Sequence, residues 1–77
     1  MKLPRDVDAD QLVRVLVRCG YSVSRQTGSH IRLQKQDGTH QITIPNHSPI
    51  KIGTLQSILK DVCRENNMGM ADLSAML

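Results

Sequence analysis

Apolar residues recur at Leu12, Val15, Leu16 and Cys19, the spacing of one face of an α-helix. Asp8 or Asp10 stands where an N-cap or first-turn carboxylate meets free backbone N–H groups, and Gly20 supplies a C-terminal stop. Arg14 and Arg18, four positions apart, share another face of that helix. From Tyr21 the period changes to two. Tyr21, Val23 and Arg25 alternate with Ser22, Ser24 and Gln26, which predicts a strand with one mostly polar face. Gly28-Ser29 breaks the run, and Ile31 and Leu33 then alternate with His30, Arg32 and Gln34 in a second strand. Asp37-Gly38 signals a two-residue hairpin turn. A third strand over about 39–45 puts His40, Ile42 and Ile44 on one face and Gln41 and Thr43 on the other. Asn46-His47-Ser48-Pro49 reads as a loop. A second helix over about 52–64 carries Ile52, Leu55, Ile58, Leu59, Val62 and Cys63 as an apolar stripe, stopped by Asn66-Asn67 and Gly69. Met70, Leu73, Met76 and Leu77 predict a short terminal helix or turn.

Short connections between the strands make a three-stranded antiparallel meander, so the order is α-β-β-β-α. A sheet with one apolar face needs a cover, and two amphipathic helices on that face provide it. The expected fold class is α+β, a two-layer sandwich like that of double-stranded-RNA-binding domains. The uncovered sheet face is rich in Arg, Gln, Ser and Thr. A chain of 77 residues allows one domain, 1–77, with a core over about 8–65 and a short tail over 66–77. No stretch approaches the roughly 20 apolar residues of a membrane span. The charged start Met1-Lys2-Leu3-Pro4-Arg5-Asp6 lacks a signal peptide's apolar run, so a cytoplasmic location without membrane contact is expected.

Charge and composition narrow the chemistry. Ten Lys and Arg against seven Asp and Glu give a formal charge of +3. Between Arg14 and Lys51, six cations face Asp37 alone, a balance of +5, and phosphate contacts are expected there. Tyr21 is the only aromatic residue besides the histidines, which excludes platforms that stack successive bases on aromatic rings. Cys19 and Cys63 are too few for a disulfide scaffold or a four-ligand zinc site and read as core thiols. The sequence holds no His-Glu-x-x-His, Walker-type loop or Gly-x-Ser-x-Gly. Carboxylates are sparse after Asp10, with no pair placed for glycosidase chemistry or a metal cage, so neither metal nor cofactor is expected. A reaction relying on His, Lys and Arg remains. RNA cleavage meets that description, because RNA carries its own nucleophile in the 2′-OH and needs only a base, an acid and cations around the phosphate.

His30 is the leading candidate for that chemistry. It follows the Gly28-Ser29 turn on the parity of Arg32 and Gln34, away from Ile31 and Leu33, where an exposed imidazole can exchange protons near neutral pH. Gly28 admits close approach, Ser29 adds a hydroxyl, and Arg25 and Arg32 lie on the flanking strands. The plain alternative is a surface histidine at a hairpin with arginines that serve solubility. His47 and Lys51 form a second cluster. Lys51 stands at the start of the second helix before Gly53 and Thr54, a setting that suits phosphate oxygens or simply begins a helix. His40 is expected to be half-buried or at a strand end, and Tyr21 to cover a sheet edge or the core rim.

Gly20-Tyr21, the run Arg25-Gln26-Thr27-Gly28-Ser29-His30, Ile44-Pro45, His47 and the run from Lys51-Ile52-Gly53-Thr54-Leu55 to Leu59 together resemble the HicA (YcfA-like) toxins of type II toxin–antitoxin pairs. The resemblance spans about 8–65. It implies a double-stranded-RNA-binding-like fold, an mRNA interferase that cleaves messages without the ribosome, and a HicB-type antitoxin that covers the toxin. The family's catalytic histidine carries over to His30. Arg25, Gly28 and Ser29 match the turn that frames it, and Lys51, Gly53 and Thr54 match the start of the second helix as RNA or partner contacts. The chain departs from the pattern in its acidic 3–10 segment and in its Asn- and Met-rich tail. The free toxin is expected to be a monomer. A non-catalytic RNA-binding module of the same fold needs the basic residues without needing His30, and a protein-binding partner would use a sheet edge or the polar face.

Overall fold

Two contacts pin the start of the first helix to the loop before the second. Asp8 adopts the extended conformation of an N-cap, but its carboxylate accepts the Ser48 hydroxyl instead of capping its own helix. Ile50 N–H donates to the Val7 carbonyl at 2.8 Å. The computed structural model describes residues 6–77; the start Met1–Arg5 lies outside the described residues. Its elements are α1 (Ala9–Arg18), β1 (Tyr21–Gln26), β2 (His30–Lys35), β3 (Gln41–Pro45), α2 (Ile52–Asn66) and α3 (Met70–Met76). Gly20, at φ +97°, turns the chain out of α1 in a conformation that a side chain would strain. Asn67 ends α2 in the left-handed region, at φ 54°.

The strands form one antiparallel sheet in the order β1-β2-β3. Ile31 pairs with Ile44 and Leu33 with Ile42, so the period-two pattern puts all four on one buried face. Leu12, Val15 and Leu16 from α1 and Leu55, Ile58, Leu59 and Val62 from α2 join them in a single core. Each fully buried Leu or Ile contributes roughly 1.5–3 kcal/mol relative to exposure. The fold is thus the α+β layout that the pattern predicts, fitting the double-stranded-RNA-binding-domain-like arrangement. The terminal segment adds a third helix whose Leu73 is 0% exposed, so the tail seals the core. Among the described residues, no helix is long and apolar enough to cross a membrane.

Four local expectations change. Tyr21 is a core residue at 1% exposure, since its hydroxyl finds partners indoors: Asn66 Nδ2 donates to it at 3.2 Å, and it bonds His40 Nδ1 at 2.6 Å. Ile52 leaves the apolar stripe and is 51% exposed in the first turn of α2. The β2–β3 connection is longer than two residues: Lys35 N–H bonds the His40 carbonyl, enclosing 36–39, and the third strand begins at Gln41. Asp37 Oδ1 accepts from Thr39 N–H and hydroxyl, while Gln36 N–H is drawn to the Gly20 carbonyl, so the ladder cannot continue to Asp37-Gly38. The two thiols are core groups as read. Cys63 is buried, Cys19 packs partly against the core, and burial raises both above the ordinary thiol value.

Candidate active site

The fourth change bears on the site. The β1–β2 register runs Val23 with Leu33, then Arg25 with Arg32, so Ser24 is an extra residue in β1. This β-bulge breaks the simple alternation. Without it Arg25 would share the helix-covered side with Tyr21 and Val23. With it Arg25 stands directly opposite Arg32, on the face away from Ile31 and Leu33. Thr43 follows across the sheet from Arg32, and the next row toward the β1–β2 turn pairs His30 with Pro45. His30 is two residues from Arg32 along β2, about 6.6 Å on the same face. Like charges on directly opposed strand positions are destabilising. Among the described residues the ion pair found is Arg64 with Asp61, so no carboxylate neutralises either arginine.

The turn that presents His30 is held from two directions. His30 N–H donates to Thr27 Oγ1 at 3.1 Å, and Thr27 N–H returns a bond to the His30 carbonyl at 2.8 Å. From the other strand Asn46 N–H donates to the Ser29 carbonyl at 2.9 Å and Asn46 Nδ2 to the Gly28 carbonyl at 3.3 Å. The backbone of His30 is therefore fixed while its ring is exposed. Ser29 Oγ lies 3.0 Å from Nδ1 of His30. With the proton on Nδ1, Ser29 accepts it and the lone pair of Nε2 is left to meet a substrate. Thr27 and Asn46 hold the turn through bonds that residue-by-residue reading missed. The Asn46 signal lay in its place just after β3, which the meander brings back beside the turn.

Of the sequence-derived candidates, Arg25, Arg32, Gly28, Ser29 and His30 converge on this end of the sheet. His47 comes near through its neighbour Asn46 and is exposed. Gly28 has an ordinary φ, and a Cβ there would meet nothing within 4 Å, so the fold does not demand glycine and the space above the turn is open. Lys51 and Thr54 lie at the start of α2. Lys51 lines a separate surface pocket of about 380 Å³ with Asp6, Pro49, Ile50 and Ile52, and Thr54 lies in the first turn of α2 behind it. No three His, Cys, Asp or Glu side chains among the described residues group as metal ligands. The arrangement pairs one proton-exchanging ring with two permanent cations, the kit for moving a proton beside a phosphate.

The structure defines a small α+β domain with two exposed arginines opposed on its open sheet face. The comparison with families is more specific. The model of the HicA toxin of bacterial toxin–antitoxin systems matches residues 9–62, well over half of the 77-residue chain. The chain belongs to the HicA toxin family, which makes it a toxin of a toxin–antitoxin pair and implies an antitoxin partner. No curated protein and no solved structure gives a significant match.

Proposed function

We propose that this toxin is a metal-independent endoribonuclease that cleaves mRNA in the cytoplasm and is neutralised by a HicB-type antitoxin. The observation that carries the reading is the placement of His30: an exposed imidazole on a doubly pinned turn, two residues along β2 from the opposed pair Arg25 and Arg32. In the reaction the 2′-oxygen attacks phosphorus and the bond to the 5′-oxygen breaks, giving a 2′,3′-cyclic phosphate and a free 5′-hydroxyl. His30 either removes the 2′-OH proton or supplies the proton that the leaving oxygen needs. His47 is the candidate for the other half of that exchange. Arg25 and Arg32 hold the phosphate and stabilise its growing charge. Lys51 and Thr54, at the start of α2, serve as further RNA or partner contacts.

The test is cleavage of a defined RNA by purified protein, with end-group analysis of the products. Wild type is expected to cleave in the presence of EDTA and leave cyclic phosphate ends. His30→Ala is expected to fold normally and lose cleavage by on the order of 10²–10⁴-fold, the usual worth of a positioned acid–base group. Equal cleavage by the variant removes His30 from the chemistry. RNA binding with no cleavage by either protein would establish the non-catalytic binding module instead, and 5′-phosphate ends would exclude attack by the 2′-OH.

A further inference from the structure

We propose that Arg25 and Arg32 form a discrete oxyanion seat that takes inorganic phosphate in the free protein, so that phosphate stabilises the fold and competes with RNA. Only the competition rests on the nuclease reading. The seat itself is argued from register and charge. The bulge at Ser24 places Arg25 and Arg32 at directly opposed positions of neighbouring strands, an arrangement of like charges that an anion between them would relieve. Ser24 Oγ donates to the Arg32 carbonyl at 3.3 Å, so the extra residue is itself tied to the strand that it faces.

The surroundings supply no internal anion. The rows flanking the pair are Ser22, Gln34 and Gln41 on one side and His30 with Pro45 on the other, while Thr43 completes the pair's own row with a hydroxyl. The acids among the described residues lie elsewhere: at the α1 start, in the β2–β3 loop where Asp37 is engaged by Thr39, and on α2 and α3. Both arginines are exposed, so the seat is open. A guanidinium offers a planar fork of donors that matches two oxygens of a tetrahedral oxyanion. Phosphate has enough oxygens to engage both forks at once. Chloride, a single centre, can only screen them.

Thermal unfolding in a low-ionic-strength buffer tests the seat directly. Phosphate at ten times its dissociation constant is expected to raise the wild-type Tm by about 5–10 °C, well above sodium chloride at matched ionic strength. Arg25→Gln and Arg32→Gln should each start from a higher Tm without phosphate, because the repulsion is gone, and should gain no more from phosphate than from chloride. His30→Ala should keep the full wild-type gain. In cleavage assays the same phosphate concentration should raise KM about elevenfold with kcat unchanged. An equal gain in chloride, or a phosphate gain that survives in both arginine variants, overturns the seat. A Tm gain with no change in KM overturns the competition. Absence of cleavage by the wild type would sink the nuclease reading and leave the Tm result standing.

Discussion

Two histidines at opposite ends of the sheet make the same bond and have different fates. His40 holds its Nδ1 2.6 Å from the Tyr21 hydroxyl, and His30 holds its Nδ1 3.0 Å from the Ser29 hydroxyl. Around His40 the partner is buried, both Asn66 amide protons are used on Tyr21 and the Val62 carbonyl, and the rings of Tyr21 and His40 meet edge-on at 5.7 Å. Around His30 the partner is exposed, and what is fixed is the backbone, through Thr27 and Asn46. A histidine becomes structural when its ring bond closes a buried network. It is left free for chemistry when the scaffold holds its backbone and the ring faces open water beside cations. Neither the residue type nor the bonding atom decides this.

Swapping the perturbation between the two tests the comparison most severely. His30→Ala should abolish cleavage and leave Tm within a degree or two of wild type, because the side chain supports nothing buried. His40→Ala should do the reverse. It removes a hydrogen-bond partner of a buried phenol, at a cost of about 1–3 kcal/mol, while cleavage per folded molecule persists. Tyr21→Phe breaks the same network from the other side, and the double variant should lose less than the sum of the two single losses, as a shared bond requires. Chemical denaturation and single-turnover cleavage on all four proteins check this. A stability loss on His30→Ala as large as that on His40→Ala would erase the distinction.

The inner half of the molecule was legible in the sequence because burial imposes a period. Ile31, Leu33, Ile42 and Ile44 alternate without interruption, and the α1 and α2 stripes repeat with a helix's spacing, so element order and core follow from pattern alone. The face that His30 takes was legible for the same reason, since it keeps step with an uninterrupted strand. The face of Arg25 was not. A bulge adds one residue without a sequence signature in Ser22-Val23-Ser24, and every side chain beyond it changes face. Tyr21 was misplaced because its burial depends on partners 19 and 45 residues away, which no local window contains.

A smaller effect sharpens the His30 side. If Ser29 orients the ring, Ser29→Ala should lower kcat by about three- to tenfold, the worth of one modest hydrogen bond, with KM and Tm unchanged. Ser29→Thr, which keeps a hydroxyl, should recover most of the loss. An altered KM with normal kcat would instead make Ser29 a contact for RNA.

Asp37 provides the smallest effect and a control for the argument about burial. Like the two histidines it is a titratable group bonded to a hydroxyl, here Thr39 Oγ1 at 2.6 Å, with Thr39 N–H adding a second bond at 3.0 Å. The Thr39 hydroxyl and N–H bonds hold its carboxyl below the ordinary 3.8. A folded-state value below the unfolded one means that the charged form favours folding. That contribution is present above 3.8 and is lost as pH falls through the lower folded value. Asp37→Asn should therefore show a slightly lower Tm than wild type at neutral pH, and the gap should close on acidification below 3.8. Melting curves from pH 7 to pH 3 would show it. Since Asp37 and Thr39 are both exposed, water competes for every bond they make, and the gap should stay well under that of His40→Ala. A loss at Asp37 equal to that at His40 would mean that bonding to a hydroxyl, and not burial of the partner, determines which titratable groups hold this fold together.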